Sequence, residues 1–131
     1  MLIKPTKEES MVYYPRAIVI EQGGSYFAVG ENGRNFCEPN QDLGMLAAAL
    51  AKAAQGCVNG RMTRGSLEES SGVEVFFKDG NEQVLFLTKK DHGTGKILRY
   101  LCGKEPTQGK AKIFYDAFCN VQRQMNFEGI F

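Results

Sequence analysis

The residues Lys89-Lys90-Asp91-His92-Gly93-Thr94-Gly95-Lys96 are where this chain comes nearest to a chemical site. Two glycines let a backbone approach a ligand without Cβ clashes. A hydroxyl and several lysines add donors and positive charge. A helix starting just after them would aim unsatisfied N–H groups at an anion. The residues expected to touch a phosphate or nucleotide are Lys90, His92, Thr94, Gly95 and Lys96. The stretch is not a P-loop, which needs Gly where Lys90 stands and Ser or Thr where Ile97 stands. The plain alternative is a solvated glycine turn.

His92 is the single histidine of the chain. A general-base histidine needs an orienting partner and a nucleophile in reach, and no sequence signature supplies either. The cysteines stand at 37, 57, 102 and 119, without the short-spaced pairs of a zinc site. Cys102 and Cys119 fall at apolar helical positions and suit a core. Cys37 and Cys57 flank a helix, with no cationic neighbour in sequence to activate a thiolate. Glu68, Glu69, Glu74 and Glu82 show no pairing for acid–base work and read as surface. The expectation is no catalytic residue, no metal and no cofactor.

Charge bounds the partners. The formal net charge of the 131 residues is +1, so no bulk attraction to a polyanion follows. Locally the charge is uneven. Between 66 and 82, Glu68, Glu69, Glu74, Asp79 and Glu82 face only Lys78. Between 89 and 112, seven cations stand against Asp91 and Glu105. Two solvated faces account for this. Tyr100 and Tyr115 interleave with the basic stretch, but no RNA-binding motif accompanies them, so nucleic acid is not an expected partner. The start Met1-Leu2-Ile3-Lys4-Pro5 lacks an apolar signal core. Four reduced thiols and a cytoplasmic location follow as expectations. No stretch reaches the roughly 20 apolar residues of a membrane helix.

The elements that would carry these residues read as one domain over 16–131, preceded by an extended segment over 1–15. Arg16–Glu21 is apolar on both faces, which predicts a strand buried on both sides. Gly23-Gly24 predicts a hairpin tip and Tyr26–Gly30 the return strand. Asn40 is the expected N-cap of a helix with Leu43, Leu46, Ala47, Leu50 and Ala54 on one face and Gly56 as its stop. A weak strand over 58–65 follows. Val73–Phe77 and Glu82–Thr88 form a second hairpin tipped by Asp79-Gly80. A short helix is expected from Gly95 or Lys96 to Cys102. Ala111, Phe114, Phe118, Val121 and Met125 mark a longer amphipathic helix after Pro106. The order is β-β-α-β-β-β-α-α, an α+β domain with a five-stranded antiparallel sheet. Ile18, Ile20, Val75, Phe77, Leu85 and Leu87 are expected in or near the core.

Over residues 16–101 this order resembles the roadblock / dynein light chain family and its longin and profilin-like relatives. The hairpin Ala17–Val29, the helix Leu43-Gly44-Met45-Leu46-Ala47-Ala48-Ala49-Leu50-Ala51 and the meander from Val73 through Leu87 carry the resemblance. It implies a non-catalytic, dimerising adaptor or regulator. It also implies a partner packed on the alanine-rich helix, at Ala47, Ala48, Ala51 and Lys52. Two other functions fit a domain of this size: a secretion chaperone or toxin-neutralising protein, and an anion- or nucleotide-binding domain using the 89–96 loop. Each of the first two takes another protein or a second copy as partner.

Overall fold

The structure, a computed structural model, describes residues 14–58, 72–90 and 97–129. The elements run β1 (Arg16–Gln22), β2 (Ser25–Val29), α1 (Leu43–Val58), β3 (Gly72–Asp79), β4 (Glu82–Lys90), β5 (Ile97–Leu101) and α2 (Gly109–Gly129). The five strands form one sheet in the order β2-β1-β3-β4-β5.

The sheet is mixed, which corrects the all-antiparallel expectation. β1 lies parallel to β3, with Ala17 opposite Val75 and Val19 opposite Phe77. The other three pairings are antiparallel. Tight turns force antiparallel pairing, and both hairpins obey. A whole helix separates the first hairpin from the meander, so the next strand can enter in either direction.

Turn chemistry sets both hairpins. Gly23 and Gly24 carry φ of 61° and 81°, the two left-handed positions that a type I′ turn requires. In the second hairpin Asp79 pairs with Glu82, so the tip is Gly80-Asn81, one residue later than expected. Gly80 alone has positive φ there, as a type II′ turn demands.

Both helices cover one face of the sheet. Val73, Val75 and Phe77 of β3 and Val84 and Phe86 of β4 point into that layer, with Ala17 and Val19 of β1. Leu46, Leu50, Phe114 and Phe118 meet them from the helices. Phe86 stacks edge-on against Phe118 at 4.9 Å and Tyr115 at 5.9 Å, and Phe77 lies 5.3 Å from Phe114. Asp42, not Asn40, caps α1: its Oδ1 accepts the Met45 N–H at 2.9 Å. Asn40 sits two residues back and accepts from the Asp42 N–H at 2.8 Å. The helix continues through Gly56 to Val58, because a helix interior tolerates Gly at a cost of about 1 kcal/mol. The start of α2 is capped from outside. Asp79, beside the β3–β4 turn, accepts the Lys110 N–H at 2.8 Å. The Lys110 ammonium meets Glu21 at 3.1 Å, and its pKa is raised first by Tyr26 and then by Glu21.

Two further expectations fail. Residues 97–101 are a strand, not a short helix. Their alternation (Leu98 and Tyr100 to one side, Arg99 and Leu101 to the other) matches the pairing with β4. Five residues gain little from helix formation and a full ladder from β4. Nor is β1 buried on both sides. Ala17 and Val19 are sealed, while Ile18 is 37% and Ile20 39% exposed. Val75, Phe77 and Leu87 are buried as expected, and Leu85 is half-buried. The weak strand expected over 58–65 lies, after Val58, outside the described residues.

Candidate interaction surfaces

The residues singled out by sequence are placed as follows. Lys90 is the last residue of β4, and His92, Thr94, Gly95 and Lys96 lie outside the described residues. On α1, Ala47 and Ala51 are buried, Ala48 is half-buried and Lys52 is exposed. The small side chains of α1 lie close to α2: a Cβ added at Gly44 would come 4.0 Å from the Ala117 Cβ.

Among the described residues, no group of His, Cys, Asp and Glu is arranged to hold a metal ion. No buried side-chain N or O there lacks a hydrogen-bond partner. Cys37, Cys102 and Cys119 are free thiols. Burial pushes all three pKa values up, with Glu38 adding at Cys37 and Glu74 at Cys102. A raised thiol pKa is the opposite of what a nucleophilic cysteine needs.

The inner side of β5 is a closed polar network. Arg99 Nη1 donates to Gln122 Oε1 at 2.7 Å, and Nε donates to the Tyr115 hydroxyl at 3.2 Å. Gln122 Nε2 then donates to Thr88 Oγ1 at 3.3 Å. The guanidinium also lies 5.3 Å from the Tyr115 ring centroid. Gln122 and Thr88 are buried, so their polar atoms depend on these bonds. The network clamps β5 and β4 to α2. Replacing Arg99 by Ala leaves the Gln122 acceptor without its cation, at a cost of about 1–3 kcal/mol. Hydrogen exchange should then quicken at β5 amides while β1 amides keep their protection. Equal protection of β5 in both proteins would reject the clamp.

The two sheet edges differ. At β2 the edge is already occupied: the Tyr26 N–H donates to the Asn40 carbonyl at 2.7 Å, the Asn40 N–H returns to Tyr26 at 3.1 Å, and the Phe36 N–H donates to Ala28 at 2.8 Å. The chain from 30 to 40 thus folds back as a cover. At β5 the Cys102 N–H donates inward to the Leu85 carbonyl at 2.7 Å. Alternation along the strand then turns the N–H and C=O of Arg99 and Leu101 away from β4. Among the described residues nothing pairs with them.

The second surface is the sheet face opposite the helices. Register places Val29, Ile18, Phe76 and Leu85 in one row across four strands. Phe27 and Ile20 lie on one side of that row, Leu87 and Tyr100 on the other. An ion pair of 3.1 Å between Arg16 and Glu74 crosses the same face.

Sequence reasoning left a dimer to form through the alanine-rich helix or an edge strand, without saying which edge, and missed the open sheet face. The phase of β1 was open, since Ala17 and Ile18 are both apolar, and the small Ala17 turned out to face the helices. A signal for the edge was present in Ile97-Leu98-Arg99-Tyr100-Leu101, whose β-branched and aromatic content suits a strand. No helix of the described residues is long and apolar enough to cross a membrane. No family model, no curated protein and no solved structure matches the chain.

Proposed function

We propose that this chain is a non-catalytic protein–protein interaction module that works as a homodimeric adaptor or regulator, its two copies joined through β5. The contrast between the edges carries this reading. The β2 edge is capped by the chain's own residues, whereas β5 turns backbone donors and acceptors outward from a strand rich in apolar residues. An edge of that kind is a template for strand addition. Two β5 strands related by a two-fold axis would extend the sheet to both copies, each copy offering the same residues to the other. The Arg99 clamp supports the reading, because a strand held against α2 has less entropy to lose on pairing. Raised thiol pKa values and the satisfied polar network argue against chemistry in the described residues.

Sedimentation tests the pairing. The wild-type chain should sediment as a species of twice 14.5 kDa at high micromolar concentration. Ile97→Pro removes an outward N–H at the first strand position, where proline is tolerated. It should sediment as a monomer with unchanged far-UV circular dichroism. A wild-type chain that stays at 14.5 kDa rejects the dimer. A dimer that survives both Ile97→Pro and Leu98→Lys has its interface elsewhere.

A further inference from the structure

The sheet face opposite the helices is apolar across four strands, and Ile18 and Ile20 are 37% and 39% exposed on it. The row Val29, Ile18, Phe76 and Leu85 is symmetric about the seam between β1 and β3, with two apolar side chains on each side. The Arg16–Glu74 ion pair straddles the same seam two residues further along the strands, one charge on each side.

We propose that a second copy packs face to face on this surface, in a two-fold contact whose axis runs along the β1–β3 seam. The register carries the argument. Such an axis keeps each residue's height along the strands and exchanges the two sides of the seam. Phe76 then meets the second copy's Ile18, and Leu85 meets its Val29. The charges exchange in the same way: Arg16 meets the second copy's Glu74, and Glu74 meets its Arg16. Four charges alternate in sign around the axis, and no like charges are opposed. Their side chains are 43% and 32% exposed, free to reach across the gap of about 10 Å between stacked sheets. A two-fold axis running across the strands through the apolar row would instead set Arg16 against Ile20. The register therefore selects the seam axis, which gives the aligned packing usual for stacked sheets.

Area sets the strength of the contact. β1, β2, β3 and β4 have 7, 5, 8 and 9 residues. At about 3.3 Å per residue and about 4.8 Å between strands they present a flat area of about 460 Å². That is below the roughly 800 Å² per partner of a stable complex and in the range of weak, transient ones. The contact therefore forms at concentrations above those that test pairing at β5. The seam has two strands on one side and three on the other, so β5 projects beyond the second copy's β2 and its outer edge stays open. Face packing thus adds to edge pairing and does not compete with it.

The test uses the full chain carrying Ile97→Pro, which removes edge pairing and leaves this face intact. In sedimentation equilibrium its apparent mass should rise from 14.5 kDa toward twice that value as the concentration is raised into the millimolar range. Adding Ile18→Lys should remove the rise without changing far-UV circular dichroism. Arg16→Glu and Glu74→Arg, each placed singly in the same background, should weaken association by about tenfold or more, because like charges then face each other across the axis. Mixed in equal parts, these two variants should associate again, each supplying the charge that the other lacks. A mass that stays at 14.5 kDa at millimolar concentration overturns the proposal. Association that Ile18→Lys leaves unchanged gives the contact to another surface and overturns it too, as do charge variants that recover nothing on mixing. None of these results bears on β5, whose pairing is read from the wild-type chain at micromolar concentration.

Discussion

Replacing Phe118 by Ala should lower the urea midpoint of unfolding more than any other single truncation on α2. Phe118 is fully buried, 4.9 Å from the Phe86 ring and 6.1 Å from the Phe114 ring. Phe→Ala in a core of this kind costs about 3–5 kcal/mol, combining lost transfer energy with the cavity left behind. The edge-on geometry with Phe86 adds about 0.5–1.5 kcal/mol that a smaller apolar residue cannot recover. A domain's whole stability is about 5–15 kcal/mol, so the variant should be close to unfolded at body temperature. Phe118→Leu keeps most of the volume and should lose much less. Chemical denaturation with far-UV circular dichroism reads both. A Phe118→Ala midpoint within error of wild type would mean that α2 does not pack on β4 as described.

Gly72→Val should force apart the start of the β3–β4 ladder. A Cβ at that position would sit 2.7 Å from the Thr88 carbonyl oxygen and 2.9 Å from the Lys89 Cβ. One obstacle is backbone and the other is rooted on it, so neither can swing aside. The β3–β4 pairing would have to part at Gly72 and Lys89, where the ladder begins. Overpacking of this sort costs about 1–3 kcal/mol, and valine adds two methyls to the same space. The same change should free Tyr14, whose ring lies 3.2 Å from that Cβ position. Thermal unfolding should fall by about 5–15 °C. Tyr14 fluorescence or proton shifts should move toward those of an unfolded tyrosine. Gly72→Ala should show the same direction at smaller size. A valine variant as stable as wild type would reject the close approach of β3, β4 and Tyr14.

Local signals in the sequence predicted what local physics decides. Both glycine-containing turns formed hairpins, because a two-residue loop has few backbone solutions. The apolar spacings of Leu43, Leu46, Leu50 and of Ala111, Phe114, Phe118 became the buried faces of two helices. What escaped the sequence depends on distant residues. The direction of β3 beside β1 is set by which edge it joins, and nothing within either strand encodes that choice. The phase of β1 could not be read from Ala-Ile-Val-Ile, since every position is apolar, and the layer thickness near the helices selected the smaller Ala17 for the inside. Residues 97–101 carried a weak helical pattern that pairing with β4 overrode. As for the candidate surfaces, an open edge is the absence of a neighbour, which no residue announces. The basic glycine loop was prominent in sequence because its residue types are distinctive, and four of its five proposed contacts lie outside the described residues.

The placement of both helices on one face has a consequence for biosynthesis. The sheet is complete in sequence by Leu101, yet Phe77 and Phe86 obtain part of their cover from Phe114, Tyr115 and Phe118, which are made later. Synthesis at about 5–20 residues per second leaves a nascent chain with an unfinished apolar layer for an interval of seconds. During that interval the strands are present without the helix that seals them. A message truncated before residue 109 would yield a sheet that keeps this exposure permanently, and such a fragment belongs to the quality-control machinery of the cell rather than to its folded pool.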